Sequence, residues 1–376
     1  CALSPNFTLL LVGRLIQALG TGIFLPLMFS VVLMVFPMNK RGAVMGIVGL
    51  VLTAGPALGP SFAGLIISVS SWHYIFWLMI VLNLLLLIFG APKMDNISDL
   101  SRPKIDILSL VFSTVGFGGI VYALATLAEA SISEAKVWLP LVVGVIALIL
   151  FITRQFKMES PMINLRVFKY PMFALGTVLM FFNLFMILSV AILIPLYLKS
   201  VLGFAALAAG LLMLPGNALN IVMSPIVGSS FDRVGAKIYT RIGYVLITIS
   251  AALFVIVISA TTPVWQIVVL LMVFFLGISM TIMPAQTNAM NQLPPKMYAD
   301  GSAAMNTLTQ VAGALGTAIA ITMFTLGQTK YIEKNGAEAP LDFLAYGVHY
   351  AFIIVLIIAV LGLIGSFFIK NSRHSH

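Results

Sequence analysis

Eleven separate apolar runs, at about 7–36, 42–69, 73–91, 107–128, 137–156, 173–200, 205–230, 239–260, 264–292, 301–326 and 349–369, leave this chain few ways to fold. About 20 mostly apolar residues cross a hydrocarbon core as one helix, and the longer runs have room to tilt. Composition agrees, since only 8% of the 376 residues are charged, against roughly 25% in soluble domains. Mean hydropathy is +1.12. An all-α membrane protein is expected. The longest connections, 92–106, 157–172 and 327–348, are predicted to be loops or surface helices at the membrane face.

Basic residues give the orientation. Lys40, Arg41, Lys93, Arg102, Lys104, Arg154, Lys157, Arg166, Lys169, Arg233, Lys237, Arg241, Lys296, Lys370 and Arg373 fall on one side of the alternating spans. Only Lys136, Lys199, Lys330 and Lys334 fall on the other. The positive-inside bias makes the first side cytoplasmic, which places residue 1 outside the cell and the C-terminus in the cytoplasm. The chain opens Cys-Ala-Leu-Ser-Pro, without an initiator Met or a signal peptide. That opening is read as a truncation.

Other classes find no support. The net charge of +9 comes without a basic face carrying interleaved aromatics, so no nucleic-acid partner is expected. Cys1 is the one cysteine, which leaves no disulfide framework and no thiolate metal site. Walker loop, His/Glu metal spacing and exposed nucleophile motifs are missing, so neither an enzyme nor a cofactor or metal is predicted.

Polar residues inside apolar runs carry the most information. Arg14 lies seven residues into the first run, about 10 Å deep at 1.5 Å per residue. An unpaired arginine there costs ~2.5–3.5 kcal/mol on insertion scales, so it should face protein and have a partner. Gln17 follows one turn later on the same face, ahead of Gly20 and Gly22. The second run carries Gly42, Gly46, Gly55, Gly59 and Gly64 with Pro56 and Pro60, spacings that let helix backbones approach closely. Asn183, Asn217, Asn288 and Gln310 lie deepest among the amides of the later runs. With Phe185 they are candidates for a substrate cavity. Leu25-Pro26-Leu27 before Arg41-Gly42 resembles Met283-Pro284-Ala285 before Asp300-Gly301, with proline-to-glycine separations of 16 and 17. Parallel repeats of this kind occur in transporters built from two like halves.

Three strings resemble signatures of the major facilitator superfamily. Arg14-Leu-Ile-Gln17 followed by Gly20 and Gly22 is similar to its fourth-helix motif, with Ala18 where the family often has glycine. Gly55-Pro56-Ala-Leu-Gly59 resembles the fifth-helix antiporter motif, with Pro60 in place of a further glycine. Gly228-Ser-Ser-Phe-Asp232-Arg233-Val-Gly235-Ala-Lys237 resembles the loop signature that ends the second helix of each half. In it, Asp232 would cap a neighbouring helix and pair with a basic group at an inner gate.

The order of the motifs implies that the first run is helix four. Residues 1–91 are then the remainder of the N-terminal half (helices four to six), 92–172 two inserted linker helices with flanking loops, and 173–376 the C-terminal six-helix half. That is helices four to fourteen of the fourteen-helix drug:proton antiporter branch (EmrB/QacA type). The resemblance implies a monomeric secondary transporter in the lipid bilayer, exporting small amphipathic drugs by alternating access with protons as coupling ion. An exporter of a metabolite or lipid, and a non-transporting fragment, stay open. In the family a first-helix acid carries the proton. Here the acids lie in loops or at helix ends, with Glu129 and Asp300 the local candidates.

If Arg14 serves coupling, Arg14→Ala in the full-length protein should abolish proton-driven efflux while membrane insertion stays intact or improves. Efflux at the parent rate would reduce Arg14 to a snorkelling residue.

Overall fold

The computed structural model describes residues 1–93, 106–127, 134–158, 161–335 and 340–371, apart from the side chains at 38–39, 53–54, 56–58, 60–61, 64–65, 68, 93, 206 and 340. Among the described residues it is all-helical, with eleven α-helices: α1 (Phe7–Val35), α2 (Met38–Val69), α3 (His73–Gly90), α4 (Ile107–Thr126), α5 (Ala135–Lys157), α6 (Pro171–Ser200), α7 (Ala206–Val234), α8 (Ala236–Val257), α9 (Val264–Met290), α10 (Tyr298–Asn335) and α11 (Pro340–Phe367). Ten of them have the length and hydropathy to cross a membrane. The eleventh, α2, has 32 residues.

Each predicted run became a helix, and the largest departures are at the 327–348 connection. There α10 continues to Asn335 and α11 begins at Pro340, about nine residues before its apolar run. A helix need not stop where apolarity stops. Lys330 Nζ donates to Tyr350 Oη at 2.6 Å, tying the polar extension of α10 to α11. The 157–172 connection carries a short 3-10 helix, Leu165–Lys169.

Helices α6 to α11 form one bundle. Its core joins Met186, Leu193, Tyr244, Phe254, Phe274 and Phe352, all fully or almost fully buried. Helices α4 and α5 pair as a hairpin leaning on α10. Helices α1 and α2 meet the bundle at the end that carries the Lys/Arg-rich loops, called here the basic face. Phe29, Leu33 and Met45 pack there against Met283, Met290, Leu293, Tyr298 and Met305. No described residue of α3 is buried.

The tightest contact is between α2 and α7. A Cβ added to Gly46 would lie 2.9 Å from both Gly228 Cα and Ser224 O, and one on Gly42 would lie 2.7 Å from Gly228 O. Only glycine allows backbones this close. Cβ atoms on Gly55 and Gly59 would meet no atom within 4 Å; at 3.6 residues per turn these two lie on the side of α2 away from Gly46. The sequence places the pliable contact at Gly55–Gly59, yet in this conformer the close approach is at Gly42 and Gly46. A four-residue spacing puts two glycines on one face of a helix without saying which partner that face meets.

Gly46→Leu and Gly228→Leu should each cost at least ~1–3 kcal/mol by overpacking. Gly210→Leu, on the same helix as Gly228 and with no atom within 4 Å of its Cβ position, is the control. Thermal unfolding of the purified full-length protein should show a lower Tm for the first two and not for the third.

Candidate functional site

At the basic face the crossing is fastened by polar groups. Arg41, at the start of α2, is only 7% exposed. Its Nε donates to Phe36 O at 3.0 Å and its Nη2 to Leu33 O at 2.6 Å, so the turn from α1 wraps its own arginine. Nη1 reaches across to the bundle, donating to Asn291 Oδ1 at 2.9 Å and to Tyr298 Oη at 3.1 Å. The guanidinium also lies 5.3 Å from the Tyr298 ring centroid, a cation–π distance. A planar fork of five donors suits this many acceptors, as a lysine would not.

Two further bonds join the same elements. Asp232 Oδ1 accepts from Gly42 N at 3.3 Å, near the start of α2, where a helix favours negative charge. Ser302 Oγ of α10 donates to Pro26 O of α1 at 2.9 Å. The loop motif therefore does bring its aspartate to a helix start. Arg233 and Lys237 are exposed. Gly235, with φ of 85°, turns the chain from α7 into α8, and Lys237 N donates to Asn371 Oδ1 at 2.9 Å.

Beside this latch, between α1–α2 and the bundle, lies a cavity of about 370 Å³. Leu25, Phe29, Gly49 and Leu52 line it on one side and residues of α6, α7, α9 and α10 on the other. Its polar wall contains Asn183, Asn217, Asn220, Gln286, Asn306 and Gln310. Asn183 is fully buried, bonded to Leu179 O and Thr281 Oγ1. Asn220 is 4% exposed, and its side-chain Oδ1 accepts no hydrogen bond among the described residues. Buried unsatisfied acceptors are uncommon and call for an explanation. A donor on a bound molecule would supply one.

A second cavity, about 470 Å³, shares Leu25, Asn306 and Gln310 with the first and extends along α1 to Arg14, Gln17 and Gly22. Arg14 Nη1 donates to Gln17 Oε1 at 3.1 Å. The Arg14–Gln17 motif is thus brought beside Gln310 across a shared space. Gly20 faces open space.

Not every expected lining residue is there. Asn288 lines neither cavity, and its amide donates to Lys370 O at 3.1 Å. Phe185 also lies outside both, buried in the bundle core with its backbone against Gly316. Pro56, Pro60 and Gly64 lie in α2, with surroundings outside the described residues. Of the two local acids, Glu129 lies outside the described residues. Asp300 sits at the start of α10, where its Oδ1 accepts from Asn164 N at 3.0 Å. Sequence reasoning missed two residues of weight. In the sequence Arg41 reads as a loop cation, and Asn220, one turn beyond Asn217, is an intramembrane amide outside the group expected to line the cavity.

No group of His, Cys, Asp and Glu able to hold a metal is present among the described residues.

Comparison with known proteins gives the same class. The lincomycin resistance protein LmrB of Listeria monocytogenes is 47% identical over 375 residues, covering 99% of this chain and 79% of that protein. LmrB of Bacillus subtilis is 46% identical over 381 residues, with 100% and 79% covered. Among solved structures, an outward-facing bacterial homologue of the iron transporter ferroportin matches 96% of this chain and 92% of its own at 18% identity, with a TM-score of 0.41. The family model described as Major Facilitator Superfamily matches residues 1–317. The chain is a multi-pass transporter that belongs to the major facilitator superfamily.

Proposed function

We propose that this protein exports amphipathic drugs, lincomycin among them, by proton antiport with alternating access, the basic face being cytoplasmic. The observation that carries the reading is the amide-walled cavity, which lies beside a fastened basic face and continues to Arg14 and Gln17. An apolar lining with a few convergent polar groups suits a ligand that is mostly apolar with scattered donors. Met180, Met283 and Met305 add adaptable surface, which favours breadth of substrate over fit to one. The LmrB relatives, at 46–47% identity, support the drug class.

The reading includes the fourteen-helix layout, with α1 to α3 as helices four to six and α4–α5 as the inserted pair. Three further helices would then cover the exposed face of α1 to α3, where Arg14 and the wholly unburied α3 lie. An arginine at that depth facing lipid is unfavourable, and an acid on a covering helix would pair with it and supply the titrating group that proton coupling needs.

The test uses the full-length protein in inverted membrane vesicles. An imposed proton gradient should drive lincomycin uptake, and collapsing the gradient should stop it. Asn220→Leu removes the unsatisfied acceptor while keeping bulk. Losing a hydrogen bond of ~0.5–1.5 kcal/mol to ligand should weaken equilibrium lincomycin binding several-fold, up to about tenfold, with folding unimpaired. Unchanged binding by Asn220→Leu would remove this cavity as the drug site, and gradient-independent uptake would sink antiport.

A further inference from the structure

A third cavity, about 420 Å³, lies between the α4–α5 hairpin, the 3-10 helix and α10 and shares Thr307 with the second. Phe117, Phe151, Phe156, Leu165, Phe168 and Leu308 give it an apolar lining. At its rim Ile152, Phe156 and Met162 are 42%, 48% and 40% exposed, so the space is open to the surroundings.

A polar clasp holds this space open toward the basic face. Arg154 pairs with Asp106 through Nε at 2.6 Å and Nη2 at 3.0 Å. Gln155, 3% exposed, donates to Ser109 Oγ at 2.7 Å and accepts from Ile163 N at 3.2 Å. Asn164 N donates to Asp300 Oδ1 of α10. The hairpin, the connection and α10 are thereby pinned to one another. Arg154 and then Ser109 hold the Asp106 carboxyl well below the usual carboxylate range. A depressed pKa stabilises the clasp above the ordinary carboxylate value, and the effect is lost only as pH falls toward the folded one. The clasp is therefore intact at neutral pH.

The connection also sorts its side chains by charge. A 3-10 helix repeats every three residues, so Leu165 and Phe168 share one face and Arg166 and Lys169 another. Leu165 and Phe168 line the cavity, Val167 is buried, and Arg166 and Lys169 are exposed. Lys157, which follows the lining residue Phe156, is exposed too. Each of the three cations directly follows a lining residue, Phe156, Leu165 or Phe168, a pattern that disfavours a cationic amphiphile and suits an anionic one.

We infer that this cavity binds one acyl chain of an anionic phospholipid, with the headgroup phosphate held by Lys157, Arg166 and Lys169. The site is fixed by the hairpin clasp and needs no particular transport substrate. Its occupant buries the apolar walls of a gap between the inserted hairpin and α10, the helix that also bears Asn306 and Gln310 of the drug cavity. Lipid charge would then be felt by a helix that lines the drug cavity.

The test puts a reporter in the slot. The full-length protein with Phe117→Trp is reconstituted in phosphatidylcholine containing either acyl-brominated phosphatidylglycerol or acyl-brominated phosphatidylcholine. Quenching is read as the excess over the parent, which retains Trp72, Trp77, Trp138 and Trp265. Brominated phosphatidylglycerol should reach half-maximal quenching at a roughly tenfold lower mole fraction than brominated phosphatidylcholine. The triple variant Lys157→Gln/Arg166→Gln/Lys169→Gln should lose that preference. Equal quenching by the two lipids in the Phe117→Trp protein would leave only bulk annular lipid, and no excess quenching would mean no chain enters. Relief of quenching by lincomycin, with no headgroup preference, would make the slot a drug site. Each of these overturns the inference. Should Phe117→Trp fold poorly, native mass spectrometry of the unsubstituted protein decides. Phosphatidylglycerol should survive detergent stripping on it and be lost from the triple variant, and equal loss from both would refute the site.

Discussion

The backbone-to-backbone crossing of α2 and α7 is the contact on which the arrangement depends. With no Cβ at Gly42, Gly46 or Gly228, the two helices meet almost without side chains between them. Inside a bilayer apolar burial gives little drive for helices to associate, so close packing and interhelical hydrogen bonds must supply it. The crossing does both. It brings Gly42 N within reach of Asp232 and sets Arg41 against Asn291 and Tyr298. The Met-rich seam of Met45, Met283, Met290 and Met305 then fills what the backbones leave. The amide-walled cavity lies next to this crossing, with Gly49 and Leu52 of α2 and Asn217, Asn220 and Ser224 of α7 among its lining.

A fastening of this kind is strong without being permanent. Arg41 donates to carbonyl, amide and phenol oxygens, and each such bond can be exchanged for water at the membrane face. Two packed states of similar energy are what a transporter needs, and a ligand can only shift them by its difference in affinity. Leu25, Phe29 and Leu52 line the cavity together with Asn217 and Asn220, so a ligand there would touch both groups of helices.

The fold was largely legible because a membrane span is written as a length of apolar sequence, and length survives any tertiary context. Helix ends were less so. Nothing in Gln328–Lys330 is apolar, yet these residues are helical, since polarity ends a span and not a helix. In the site, Arg14, Asn183, Asn217 and Gln310 could be picked out because polar groups within apolar runs are conspicuous. Arg41 could not, because a count of loop cations does not separate a solvated one from one folded under. The signal was the pairing of Arg41-Gly42 with Asp300-Gly301 in the internal repeat, since both mark helix starts at the basic face. Gly55 and Gly59 were readable as small residues, but which pair of glycines meets a partner is a property of the crossing.

The central claim is that Arg41 and the α2–α7 crossing hold the basic face closed while the other face opens. Double electron–electron resonance on the full-length protein with Cys1→Ser tests it directly. One label pair, Lys40→Cys and Lys296→Cys, reports the basic face, and Val69→Cys with Leu207→Cys reports the far ends of α2 and α7. Charge-assisted hydrogen bonds contribute about 1.5–3 kcal/mol each, and every 1.4 kcal/mol is roughly a tenfold shift in population. The account predicts that Arg41→Ala lengthens the 40–296 distances and shortens the 69–207 distances in the same sample. Unchanged distributions at both pairs, or a change of the same sign at both, would contradict it.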